Sequence, residues 1–167
     1  MRTRKPVTVM ALLSALPMMT TTVAQATTSR PLPIRERLEA AFAGIEIPDP
    51  KGRCSEPALV LRYVGEGTIS HLGRVTFASS HCSYVTSTGE LTGRYGEAEM
   101  VIEAANGDQV HATYSGRQID ETRYLEFMTI TGGTGRFSEA RGALVEIVTL
   151  DLATFNVSIR GWGWIVK

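Results

Sequence analysis

Three histidines and one isolated glutamate are the side chains of this sequence best suited to acid–base or metal chemistry. The histidines are His71, His81 and His111. Strands and turns separate them, and no pair has the HxH or HxxxH spacing that lets two side chains bind one metal ion. We therefore predict no metal site. His111 alternates with apolar neighbours in a predicted strand, which places it on the polar, solvent-facing side of that strand.

Glu126 is the carboxylate whose environment is most open to interpretation. In its strand it shares a face with Tyr124 and alternates with Phe127. If its face pointed inward, burial in apolar surroundings would raise its pKa. The pattern favours the other orientation, with Glu126 in water and Phe127 in the core. The weak acid–base or anion-holding candidates are Glu126, His111 and Arg160.

The stretch before the dipeptide Asn106-Gly107 alternates strictly. Glu97, Glu99 and Glu103 stand on one face of a predicted strand, and three like charges in a small dry interior would be very costly. They are expected to face water, so the opposite face points inward and the interior is mainly apolar. Asn-Gly is typical of a type I′ hairpin turn with two positive φ angles.

The last predicted strand, residues 154–166, carries glycines on one face and tryptophans on the other. If Gly161 and Gly163 face inward, they leave room for a pocket mouth, or for another backbone or large side chain. The ligand-binding candidates are Tyr114, Phe127, Phe155, Gly161 and Gly163. In the opposite register, Trp162 and Trp164 line the pocket and Arg160 orients the ligand.

In the favoured register Trp162 and Trp164 lie side by side on the outside. Large exposed apolar patches are usually covered in solution. The predicted cover is either an N-terminal helix or a second subunit, which makes a homo-oligomer through this face one of the expected partnerships.

The elements that position these residues are mostly strands. Period-two segments near 58–70, 73–80, 84–87, 96–105, 109–116, 123–131, 143–150 and 154–166 predict eight antiparallel strands joined by short turns. Neither terminal strand is protected as an edge by proline or an inward charge, which favours a closed barrel over an open sandwich. The predicted fold is all-β: an eight-stranded antiparallel calycin-like β-barrel with a short N-terminal helix.

The N-terminal region has a different organisation. Residues 1–26 combine Arg2, Arg4 and Lys5 with a short apolar run and Ala24-Gln25-Ala26, the pattern of a secretory signal peptide. Residues 27–50 are expected to be a leader that contains the helix, from Ile34 to Ile45, with residues 51–167 forming the barrel domain. Removal of the signal peptide leaves a secreted or periplasmic protein with no membrane anchor.

The charge balance and the cysteine count indicate which partners are excluded and whether the cysteines are oxidised. The chain has 17 basic and 17 acidic side chains, and loss of Arg2, Arg4 and Lys5 makes the mature protein net negative, which argues against nucleic-acid binding. Cys54 and Cys82 are its two cysteines, and in an oxidising compartment they are expected to form a disulfide.

A glycine-rich segment carries a family resemblance. Thr131-Gly132-Gly133-Thr134-Gly135-Arg136-Phe137, followed by Ala140-Arg141-Gly142, resembles a turn of the dirigent proteins and is similar to that of the allene oxide cyclases. With Gly65–Gly73 and Ala105–Asp108, the wider pattern resembles uncharacterised secreted bacterial proteins of that barrel superfamily. The matching residues Gly132, Gly133, Gly135, Phe137 and Gly142 have a structural role there, like the turn residues Asn106 and Gly107.

The resemblance implies a barrel and, in the two plant families, cofactor-free cyclisation or coupling of apolar intermediates. No acid–base residue of those families is matched to a position here. The leading hypothesis is a secreted barrel that binds a small, largely apolar molecule without a cofactor. The alternatives are a cofactor-free isomerase or cyclase, and a structural or protein-interaction barrel with no pocket; whether the protein is an enzyme stays open at this point.

Overall fold

The computed structural model describes residues 30–47 and 52–167 of the chain. The predicted signal peptide, residues 1–26, and the first residues of the predicted leader lie outside these ranges. Within the described ranges, no helix is long and apolar enough to cross a membrane.

Eight antiparallel strands close into one barrel in which each strand pairs with its sequence neighbours and the last pairs with the first. The strands are β1 (Leu32–Glu46), β2 (Ala58–Ile69), β3 (Gly73–Val85), β4 (Leu91–Ala104), β5 (Gln109–Gln118), β6 (Arg123–Gly133), β7 (Arg141–Leu150) and β8 (Val157–Val166). Closure removes both sheet edges. The predicted all-β, eight-stranded antiparallel barrel is confirmed.

The predicted N-terminal helix is wrong: its residues belong to strand β1. Ile34 and Leu38 are buried and lie four residues apart, a spacing that keeps two side chains on one face of a strand as well as of a helix. The intervening inward residue is Glu36, which is polar and hid the period-two pattern. Because β1 pairs with both β2 and β8, it is the strand that closes the barrel.

Two predicted strands merge into one. The segments near 73–80 and 84–87 are both part of β3, which runs without interruption from Gly73 to Val85. The count of eight is nevertheless correct because β1 replaces the strand lost by this merger.

The hairpin between β4 and β5 is present but its turn differs from the predicted type I′. Only Gly107 has a positive φ, +85°, and its N–H donates to the Ala104 carbonyl at 2.9 Å. The Ala104 N–H in turn donates to the Asp108 carbonyl. This is a three-residue loop that ends in a left-handed glycine, the next most common hairpin geometry.

One end of the barrel is plugged. The connection between β6 and β7 contains a single 3-10 turn, Gly135–Phe137, and the side chains of Phe137 and Ala140 are completely buried. Gly135 has a φ of +52°, and a side chain there would collide with Asp108 of the neighbouring hairpin. The predicted turn residues thus lie at the closed end: Gly132, Gly133, Gly135, Phe137, Gly142, Asn106 and Gly107.

The other end of the barrel carries the connections after β1, β3, β5 and β7. The predicted disulfide is found here, joining Cys54 to Cys82 with a Cα–Cα separation of 5.8 Å. It ties the segment before β2 to the buried part of β3, beside His81.

Gly163 shows how closely β8 approaches β7. A methyl group at this position would overlap sterically with the Ala143 carbonyl oxygen, a backbone atom that no side-chain rotation moves. We expect Gly163→Ala to lower the free energy of unfolding by about 2 kcal/mol. Ser158→Ala, on the outer face of the same strand, serves as the control in urea unfolding; equal stability of the two variants would contradict the close approach.

Candidate functional site

The barrel contains a cavity of about 290 Å³ that opens towards the end opposite the plug. Aromatic rings form one wall, and apolar side chains from β1, β2, β4, β7 and β8 form most of the remainder. The aromatic and polar lining residues include Tyr63, His81, Tyr95, Tyr114, Tyr124 and Glu126, together with Phe77, Ser79, Ser83 and Arg94, and those at the mouth include Phe42, Ile45, Leu91 and Phe155. Concave, mostly apolar cavities with a few polar groups are typical of small-molecule sites.

Three carboxyl groups cross the barrel interior in one row. Glu126 lies opposite Glu146 in the β6–β7 pair, Glu146 lies opposite Gly161 in β8, and Gly161 lies opposite Glu36 in β1. Their exposed fractions are 4% for Glu126, 0% for Glu146 and 3% for Glu36. Of the three, Glu126 lines the cavity.

Gly161 makes the row sterically possible. A Cβ atom at this position would collide with Glu36 Oε1 and would lie 2.8 Å from Glu146 Cγ. The glycine therefore provides the space in which the carboxyl groups from the two flanking strands approach each other.

Burial changes the protonation of this row. No lysine or arginine is buried among the described residues, so no cation neutralises the carboxylates. Desolvation raises the pKa of Glu36 and of Glu126, and desolvation together with the negative charge of Glu126 raises the pKa of Glu146 well above its usual range. The row consequently retains protons at pH values at which exposed glutamates are ionised.

Glu126 also has a phenolic partner. The Tyr95 O–H donates to Glu126 Oε2 at 2.6 Å, whereas Oε1 has no partner outside the carboxyl row. Desolvation, followed by the charge of Glu126, raises the pKa of Tyr95, so the phenol keeps its proton and remains a donor.

A neutral histidine supports this wall. The His81 ring stacks on Tyr95 with centroids 4.6 Å apart, and its nitrogens bond to Tyr114 Oη at 3.0 Å and Ser83 Oγ at 3.1 Å. Desolvation, with a smaller effect of the Arg53 charge, lowers the pKa of His81 to about 4. The imidazole is thus uncharged at neutral pH and holds Tyr95 and Tyr114 in place.

The arrangement can deliver a proton into an apolar cavity. Glu126 is a neutral acid at the cavity wall, and Tyr95 stabilises the carboxylate that forms when Glu126 loses its proton. A carboxylic acid kept neutral by burial is one of the recurring sources of a general acid near neutral pH.

The orientation of β6 is opposite to the one expected. Glu126 is buried, and its neighbour Phe127 is 51% exposed on the outer face, so Phe127 does not line the cavity. The predictions that Glu126 faces water and that Phe127 faces the core are wrong for one reason: successive strand residues point to opposite faces, so both depend on the same orientation of β6. The sequence interpretation assigned the carboxylate to water because it assumed a charged group, whereas the carboxyl row retains protons.

The remaining candidates divide between the two faces of the barrel. Tyr114 lines the cavity and Phe155 lies at its mouth, just before β8. Gly161 faces inward beside the carboxyl row, and Gly163 is packed against the backbone of β7. His111 and Arg160 are exposed on the outer face and do not reach the cavity.

The favoured register of β8 is confirmed. Ile159 and Gly161 are buried, while Trp162 and Trp164 are 53% and 42% exposed. The helix expected to cover the tryptophans does not exist, since β1 pairs with β8 edge to edge at these positions.

Sequence reasoning missed Glu36, Glu146, His81 and Tyr95 as site residues. A signal was present for the two glutamates. Glu146 stands two residues from Leu144 and from Val148, as Glu36 does from Ile34 and Leu38, so each carboxyl group shares a strand face with apolar side chains. His81 and Tyr95 carried no comparable signal, because their meeting depends on the pairing of β3 with β4.

The fold and site together define a closed eight-stranded antiparallel β-barrel with one plugged end and an internal, aromatic-walled cavity. Among solved structures, the chain is similar to "Structure of the pterocarpan synthase dirigent protein GePTS1", with 18% sequence identity and a TM-score of 0.61. The alignment covers 91% of this chain and 100% of the other. No protein-family model and no curated protein sequence matches the chain. At this identity the likeness shows the fold.

Proposed function

We propose that the protein binds a small, largely apolar molecule inside its barrel. The cavity of about 290 Å³ is the observation that carries this proposal. Its wall consists mainly of aromatic and aliphatic side chains, and the buried polar groups on its aromatic wall, Glu126, His81 and the tyrosines, are neutral donors or acceptors. Arg94 also lines the cavity, but its side chain is mostly exposed and pairs with Glu56. A neutral molecule with at least one hydrogen-bonding oxygen matches this chemistry.

Native mass spectrometry of protein purified from its producer tests the proposal, with denaturation to release any bound compound. Ala40 lines the cavity and Ala41 is exposed on the opposite face of β1. Ala40→Phe should fill much of the space and lower ligand occupancy at least tenfold, while Ala41→Phe should retain it. Circular dichroism and thermal unfolding of both variants establish that the barrel is intact.

The two outcomes have different consequences. A discrete compound released from the wild type and from Ala41→Phe, but not from Ala40→Phe, supports binding in the cavity. An apo mass for the wild type, or a compound retained by folded Ala40→Phe, contradicts it. An apo oligomer dissociated by Trp162→Ala would instead favour the interaction barrel that uses its outer surface.

A second candidate function is a cofactor-free isomerase or cyclase of the allene oxide cyclase or dirigent type. The buried Glu126 at the cavity wall, with Tyr95 as its partner, is the observation that favours it. In this mechanism Glu126 donates a proton to the ligand, and the resulting carboxylate takes a proton back from the rearranged product. The net reaction is an isomerisation, with no atom gained or lost.

The disulfide supports a location outside the cytoplasm, because such bonds persist in oxidising compartments. We propose that residues 1–26 are removed on export. The intact mass of the exported protein tests the cleavage after Ala26, and a mass that includes residues 1–26 would contradict it.

A further inference from the structure

We propose that Glu126, Glu146 and Glu36 act as one proton-sharing array, in which Glu146 and Glu36 are positioning residues that control the proton of Glu126. This inference rests on the second proposed function, since it concerns the same acid. It assigns a role to two buried carboxyl groups that do not line the cavity.

The oxygens of the three carboxyl groups have few hydrogen-bond partners among the described residues. Both oxygens of Glu36, both of Glu146 and Oε1 of Glu126 are buried and have no donor from any other residue in the described chain. Glu146 nevertheless lies between the other two: it is opposite Glu126 in the β6–β7 pair, and a methyl group at Gly161 would touch both Glu146 Cγ and Glu36 Oε1. Two carboxyl groups bond to each other only if one carries a proton, so two such contacts require at least two protons in the row, and a third proton keeps Glu126 neutral.

A single negative charge in the row is most stable on Glu126. Glu126 receives the Tyr95 O–H and also faces the central Glu146. Glu36 has no phenolic donor, because neither of its oxygens has a hydrogen-bond partner outside the row. Desolvation, and then the charge of either neighbour, raises the pKa of Glu146, which therefore keeps its proton. Charge-assisted hydrogen bonds are the strong ones, so when the fully protonated row loses one proton, the charge resides on Glu126, the member that lines the cavity.

The three carboxyl groups are not arranged to hold a cation between them. One oxygen from each of the three does not form a set with all separations within 4.8 Å, whereas Cys54, Cys82 and Glu97, with both sulfurs already in a disulfide, do. The carboxyl groups form a line across β6, β7, β8 and β1 rather than a cage. A line of groups suits proton sharing, in which each member contacts only its neighbours.

Among the described residues no cation is buried beside the row, and Arg94, which lines the same cavity, is mostly exposed and pairs with Glu56. Tyr95 from β4 and Tyr114 from β5 face it with protonated phenols, and the uncharged His81 from β3 lies behind them. Tyr63 and Tyr124 complete the aromatic wall. The titration of Glu126 is therefore governed by its carboxyl neighbours. Removing the carboxyl group of Glu36 should change the pKa of Glu126 through its effect on Glu146.

A carboxyl titration of the ligand-free protein tests this directly. Glutamate labelled with ¹³C at the side-chain carboxyl is incorporated, and the pH dependence of the Glu126 signal is followed by NMR in four proteins: the wild type, Glu36→Gln, Glu146→Gln and the double variant. The signal is assigned by its loss in Glu126→Gln. Glutamine keeps the shape of the side chain, and Glu99→Gln, on the exposed outer face of β4, is the matched control.

We expect Glu36→Gln to move the midpoint of the Glu126 titration by at least about one pH unit in the presence of Glu146, as strongly coupled sites do. In the Glu146→Gln background the same substitution should have no effect, and Glu99→Gln should have none in either. A Glu126 midpoint in the ordinary glutamate range, or one that Glu36→Gln leaves unchanged in the wild type, overturns the proposal. A Glu36→Gln shift of equal size in both backgrounds also overturns it, since the effect would then bypass Glu146.

This experiment fails or succeeds independently of the proposed function. It uses protein without ligand, so uncoupled carboxyl groups leave binding in the cavity untouched. Conversely, a coupled array in a protein whose wild type contains no ligand would leave a proton-sharing row without the proposed binding role.

Discussion

Glu126→Gln is expected to slow conversion of the cavity ligand by about 10²- to 10⁴-fold, the usual loss when a general acid–base group is removed. Glutamine has nearly the shape of glutamic acid and offers an N–H to the ligand, but it does not transfer a proton. The substitution should therefore reduce kcat and leave the dissociation constant of the ligand within a few fold. The measurement is single-turnover conversion of the compound released from the wild-type barrel, with binding followed in parallel.

Glu103→Gln provides the control, because Glu103 is exposed on the outer face of β4 and its loss should leave both quantities unchanged. Conversion by Glu126→Gln at the wild-type rate would remove Glu126 as the acid. A compound that binds and leaves unchanged from every variant, including the wild type, would reduce the function to binding.

Protonation of His81 is expected to destabilise the folded barrel by about 3 kcal/mol in acid. The pKa of His81 is about 4 in the folded protein, because burial disfavours the charged ring, and about 6.5 in the unfolded chain. Between these values the unfolded state binds the additional proton, so this contribution to stability is present above pH 6.5 and is lost as the pH falls to 4. Urea unfolding across this range measures it.

The carboxyl row produces the opposite trend. Its members have a raised pKa in the folded protein, so their contribution is present below the ordinary glutamate value of 4.5 and declines as the pH rises through the folded values. The two effects on the free energy of unfolding overlap between about pH 4.5 and 6.5. Variants that remove one titrating group distinguish them.

His81→Phe retains a ring against Tyr95 but no longer titrates. Its unfolding free energy should decrease steadily as the pH rises from 4, with the acid-side loss absent. His111→Phe, on the exposed outer face of β5, should keep the wild-type profile. An unchanged acid-side loss in His81→Phe would mean that another group is responsible for it.

The barrel could be predicted from the sequence because side-chain alternation and turn residues are features of short segments. Alternation in the β4 segment places Ala98, Met100 and Ile102 inside, and turn residues divide the chain at the right places. Edge strands without protection then favour closure. Even the wrong assignment of β1 cost little, because Ile34 and Leu38 face the core in a helix or in a strand.

The site was less accessible because it depends on which distant residues meet. Glu126, Glu146 and Glu36 are separated by up to 110 residues along the chain and become neighbours only through the pairing of β6, β7, β8 and β1. Pattern analysis assigns each carboxylate separately to water, since a lone charge in a dry interior is costly. Together they share protons, and that cost falls.

Sequence alone thus determined the all-β class, the antiparallel direction of the strands, the disulfide, the glycine turn at the plugged end and the outward position of Trp162 and Trp164. Those features follow from side-chain period, turn chemistry and cysteine count, which act over a few residues or need no partner. Tertiary structure alone decided the register of β6, the cavity and the carboxyl row. The protonation state of a buried acid depends on its neighbours in space, and only closure of the barrel supplies them.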